Sequence, residues 1–158
     1  MQSLSILTRK TRSFFHIKWC DKVIILEALF LTGIARLVIL SIPFGKYKKY
    51  IGTYKEETSF DISLEEYRVI KRVAWAVNIV SKYTPWESKC LVQALTAQRM
   101  LKKRKVCSTL YLGLNKYEKN NMKAHAWLRC GQVIVTGGYN KGEFKEVAKF
   151  AKVIMNKN

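Results

Sequence analysis

Residues 86–101 read WESKCLVQALTAQRML and residues 122–138 read MKAHAWLRCGQVIVTGG. The first stretch is rich in strong helix formers and follows Thr84 and Pro85, which break whatever helix precedes them. It predicts a helix with Ser88 as cap and Cys90 in the first turn. The second stretch predicts two strands joined by Cys130-Gly131 as a two-residue hairpin turn. With a third strand-like run, VCSTLYLGL at 106–114, a helix followed by antiparallel strands makes an α+β domain.

Working outward, Ser63 and Glu66 stand three apart as a capping box, and Ile70, Val73, Val77 and Val80 recur on one helical face, which predicts a helix to about Lys82. The basic run KKRK at 102–105 closes the Cys90 helix at the negative end of its dipole. After the strands, Phe144, Val147, Phe150, Ala151 and Ile154 fall at helical spacing, so a helix over 143–155 is expected to cover the sheet. Residues 45–61 show no sustained period and read as a connection, with a boundary that divides the chain into an N-terminal helical region, 1–57, and a catalytic core, 58–158.

Residues 23–42, VIILEALFLTGIARLVILSI, are long enough to span a bilayer and are followed by the basic flank PFGKYKKY. Glu27 and Arg36 lie inside that stretch, and each costs about 2.5–3.5 kcal/mol near a bilayer centre, so a helix packed on the rest of the protein is the expectation. Peripheral contact with a membrane stays open. The opening residues Met1 to Trp19 are basic and broken by polar residues, unlike a secretory signal, which points to the cytoplasm and to reduced thiols.

The 158 residues carry 29 Lys and Arg against 11 Asp and Glu, a net charge of +18 that attracts acidic peptides, nucleic acid or anionic lipid. No nucleic-acid motif is present, and the aromatics are not interleaved with the cations as stacking platforms require. Cys20, Cys90, Cys107 and Cys130 form no C-x-x-C pair and His16 and His125 add no ligand spacing, so neither a metal nor a cofactor is expected.

Cys90 is the best nucleophile candidate because unpaired N–H groups and the dipole at a helix start stabilise a thiolate. His125, 35 residues on in a strand, is the candidate base, since nucleophilic cysteines take their base from elsewhere in the fold. Counting outward from a Cys130-Gly131 turn sets Thr136 across from His125 as the residue that orients it, with Asn140 and Glu143 as substitutes. The Cys90 backbone N–H and the Trp86 indole N–H are candidate oxyanion donors, although Trp86 also reads as a core aromatic. Trp127 is assigned to the other strand face and to the core.

Those residues resemble the lasso-peptide biosynthesis leader peptidases, cysteine proteases with a papain/transglutaminase-like core. The likeness rests on W-x-x-x-C-L-x-x-A-L at Trp86, Cys90, Leu91, Ala94 and Leu95, on A-H-A-W at 124–127, on V-T-G-G at 135–138, and on the helical opening LEALFLTGIARLVILSIPF. It implies that Cys90 and His125 hydrolyse the bond between leader and core of a ribosomally made precursor. It also implies two partners, a separate winged-helix leader-recognition protein and an ATP-dependent lasso cyclase. Many relatives place an Asp on the strand after the His, where this chain has Thr136-Gly137-Gly138. Two alternatives remain: a transglutaminase-like acyl transferase and a non-catalytic basic scaffold.

Overall fold

A computed structural model describes residues 19–117 and 121–154. The basic opening segment, apart from Trp19, lies outside the described residues, as does Met155 at the tail. The elements are α1 (Trp19–Ser41), α2 (Phe44–Ile51), β1 (Thr53–Tyr54), α3 (Leu64–Ser81), α4 (Cys90–Lys103), β2 (Ser108–Tyr117), β3 (Asn121–Cys130), β4 (Val133–Thr136), a 3-10 turn (Lys141–Glu143) and β5 (Lys145–Lys152). The five strands form one antiparallel sheet in the order β1-β5-β2-β3-β4, and the helices gather on one of its faces. The α+β expectation holds.

Helix α3 starts as its sequence dictates: Ser63 Oγ accepts from the Glu66 N–H at 3.1 Å, and Glu66 Oε2 accepts from the Ser63 N–H at 2.8 Å. Ile70, Val73 and Val77 are wholly buried on its inner face against Ala94, Ala97, Met100 and Leu101 of α4 and against Leu110 and Leu128 of the sheet. Each of the larger of these side chains contributes about 1.5–3 kcal/mol by leaving water.

Helix α1 is packed on α3 and α4 by Ile24, Ile25, Ala28 and Ala35. Three of its charges turn to the protein. Asp21 pairs with Arg72 at 2.7 Å, Arg36 with Glu87 at 3.1 Å, and Glu27 with Arg104 at 2.6 Å and Lys103 at 3.2 Å. Burial works against the Glu27 carboxylate, but the hydrogen bonds and charges of Arg104 and Lys103 outweigh it and hold the group below the usual carboxylate range.

Three expectations need correction. Residues 45–61 are not one irregular connection: Tyr47 and Ile51, four apart, are both buried and anchor the single exposed-flank helix α2, while Thr53 and Tyr54 pair with Ala151 and Phe150 of β5. The tail is a strand, not a helix. Phe150 and Ala151 are both buried between β1 and β2, Phe150 in the helix-side core and Ala151 on the opposite face of the strand, so apolar residues at helical spacing serve the two sides of a covered strand. Finally, Cys130 pairs with Val133, so the hairpin turn is Gly131-Gln132, shifted by one residue from the expected turn. Gly131 has φ +53, a left-handed value that glycine adopts freely and that a two-residue hairpin demands.

Candidate active site

Helix α4 begins at Cys90, with Lys89 as N-cap and no side chain capping it. Ser88, the expected cap, instead shares a 2.7 Å hydrogen bond with Thr84 Oγ1 and lends its carbonyl to Gln93 Nε2 at 2.8 Å. The first helical bond runs from the Gln93 N–H to the Lys89 carbonyl, so the Cys90 N–H has no acceptor within the helix. Cys90 itself is half-buried, on the helical face it shares with Ala94, Ala97 and Leu101. Cys130, by contrast, is sealed in the core, where burial pushes its thiol up to about 12 and leaves it inert.

The loop before Cys90 leans on α1. Arg36 reaches Glu87, which Lys89 also grips, and the Trp86 ring lies against Gly33, where an added Cβ would stand 3.5 Å from the indole. Trp86 Nε1 is buried without an acceptor, the position of a packing aromatic and not of a donor in an open cleft.

His125 sits in β3 opposite Gly113 of β2. Its imidazole lies 4.8 Å from the Phe144 ring and 6.1 Å from the Trp127 ring, centroid to centroid. Trp127 therefore shares the face of His125, as residues two apart in a strand must, and the assignment of Trp127 to the other face is corrected. It stacks on Tyr111 at 5.4 Å. Gly113 is required here, because a Cβ would come within 2.8 Å of the Trp127 ring and 2.9 Å of Phe144.

The partner that orients His125 is a backbone group. His125 Nε2 lies 2.8 Å from the Gly137 carbonyl, which can only accept, so Nε2 carries the proton and Nδ1 of the neutral ring keeps its lone pair. Thr136 does not take this role: a register shift between Leu128 and Arg129 sets it across from Leu128, and its buried Oγ1 has no partner. Gly137 has φ +69, and a Cβ there would lie 2.2 Å from the Ala126 carbonyl. Sequence reasoning missed Gly137 because a carbonyl has no side-chain signature. The V-T-G-G run that holds it was the available signal.

The connection from α4 to β2 is four residues long, which lets the strand run back antiparallel to the helix. Alternation places the His125 side chain with Trp127 and Arg129, on the reverse of the face where Ala126, Leu128 and Cys130 meet the helices. No hydrogen bond joins Cys90 to His125. Among the described residues, no three His, Cys, Asp or Glu side chains gather as metal ligands would.

A cysteine opening a helix that packs on an antiparallel sheet with a strand histidine is the layout of cysteine-type enzymes, which carry out protease or acyl-transfer chemistry. The chain belongs to the transglutaminase-like superfamily, whose model matches residues 47–149, from α2 into β5. No curated protein and no solved structure matches it.

Proposed function

We propose that the chain is a cysteine peptidase that removes the leader from a ribosomally made lasso precursor, with Cys90 as nucleophile and His125 as base. The observation that carries this reading is the 2.8 Å contact of His125 Nε2 with the Gly137 carbonyl, which leaves Nδ1 as the basic nitrogen. The Cys90 thiol gives its proton to that nitrogen and the sulfur attacks the scissile carbonyl. The oxyanion is met by the Cys90 N–H, which no cap occupies. His125 then protonates the leaving amine, and water attacks the thioester to release the second fragment. Cys90 packs on the helix side of the sheet and His125 lies on its reverse, so the mechanism requires a rearrangement on substrate binding that brings the two within hydrogen-bond reach.

The Gly137 carbonyl would do the positioning that relatives give to an Asp. As a neutral acceptor it supports the imidazolium less than a carboxylate does. The net charge of +18 suits an acidic leader or the acidic face of a separate leader-recognition protein, with the ATP-dependent cyclase acting next on the freed core in the cytoplasm. Family membership equally supports acyl transfer, in which an amine and not water resolves the thioester.

Mass spectrometry of a candidate precursor, incubated with the chain and a recognition protein, tests the proposal. Two fragments whose masses sum to precursor plus water, absent with Cys90→Ala, are expected. A crosslinked product would move the reading to acyl transfer, and intact precursor with a folded wild-type protein would sink it.

A further inference from the structure

Asp21, Glu27 and Arg36 of α1 pair with the rest of the protein, Lys22 lies over the Trp19 ring at 5.4 Å, and the opposite side of the helix is apolar. Trp19, Val23, Leu26, Phe30, Leu37 and Leu40 are each more than half exposed, and their spacing of three, four and seven places them on one stripe about 32 Å long at 1.5 Å per residue. Glu27 and Arg36 lie on the flanks, already engaged with Arg104, Lys103 and Glu87. Uninterrupted apolar surface on this scale marks an interaction site.

Phe30 and Ile34 also line a groove of about 1050 Å³ between α1, α2 and α4. Its rim carries Lys46, Lys49, Arg99, Lys102 and Lys152, and none of its lining residues is acidic. Burial, and then the repulsion of Lys102 and Arg99, push Lys152 below the usual lysine range, as expected of cations crowded without a counter-charge. Thr96 Oγ1 and Gln98 Nε2, on buried side chains that line the same groove, have no hydrogen-bond partner.

We propose that this side of the molecule docks on an anionic bilayer surface, with the α1 stripe at the acyl boundary and the groove's cationic rim against lipid phosphates. Charge complementarity favours this occupant. Beyond the Trp19 indole at its end, the stripe offers a partner chain no charge or hydrogen-bonding side chain to read, whereas its border is cationic and the exposed aromatics Trp19, at one end, and Tyr50, beside the groove, are placed as interfacial anchors are. The helix lies on the membrane and does not span it, because spanning would strip Ala28 and Thr32, both wholly buried, from the core and break the Glu27 and Arg36 pairs.

Sedimentation of the full chain with vesicles tests this. Vesicles of equal parts phosphatidylglycerol and phosphatidylcholine should carry the protein down, and phosphatidylcholine alone should bind about tenfold or more weakly. Phe30→Ser with Leu37→Ser should lower the affinity about tenfold. Lys46→Gln with Lys49→Gln should lower it roughly fivefold per charge, with unchanged circular dichroism in both variants. No binding to either vesicle, binding that ignores lipid charge, or a discrete dimer that the stripe substitutions dissociate would overturn the proposal, the last in favour of a protein-covered face.

Discussion

The two faces of the sheet are built from different chemistry. The face toward the helices is hydrocarbon: Leu110, Ala126, Leu128 and Phe150 interdigitate with α3 and α4, and stability there comes from packing. The reverse face is a ladder of rings and hydrogen bonds. His125, Trp127 and Arg129 follow one another along β3, and Arg129, 5% exposed, lies 4.0 Å from the Phe60 ring centroid. Arg129 donates Nε to Tyr111 Oη at 2.8 Å, and its other nitrogens to the carbonyls of Gly131 at 2.7 Å and Thr58 at 2.9 Å. The packed face tolerates any apolar group of the right volume, whereas the ladder depends on particular atoms, and it is the ladder that carries the imidazole.

Leu128→Ala on the packed face should cost the most, about 3–5 kcal/mol from lost burial and a residual cavity, seen as a lower urea midpoint. Arg129→Met keeps much of the volume but orphans the Thr58 and Gly131 carbonyls, and should cost about 2 kcal/mol. If Arg129→Met proved neutral, the ladder would be packing like its counterpart and the contrast would fail.

The smallest effect concerns acid. Glu57 is held below the usual carboxylate range chiefly by its hydrogen bond to Lys149, with burial opposing and the charges of Lys149 and Arg129 adding. A depressed folded-state value means stability that is present above the unfolded value of about 4.3 and lost as pH falls through the folded one. The melting temperature should drop on acidification below about pH 5, and Glu57→Gln should melt lower at neutral pH with a shallower acid slope. An unchanged slope would remove Glu57 from the account.

Much of the packed face was legible in the sequence, because helix period and capping chemistry are local. Ser63 with Glu66, and Ile70 with Val73 and Val77, announce α3 without help from the rest of the chain. The ladder face was not. Its register depends on a bulge beside Arg129 and on which residue of the turn takes a left-handed angle, and the one-residue shift of the turn together with the bulge moved the partner of Thr136 three places, from His125 to Leu128. Helix propensity in KEVAKFAK likewise hid β5, whose strand form is imposed by pairing with β1 and β2. Cys90 and His125 could be named as candidates from residue type and context; the Gly137 carbonyl could not.

The family match begins at residue 47, yet the loop that leads into Cys90 rests on Gly33 and Arg36 of α1. A chain trimmed to the match would keep Cys90 and lose its backstop. Sequence pattern thus draws the border of the domain in one place and mechanics draws it in another, about fourteen residues upstream, where the Trp86 ring comes against the backbone of a helix.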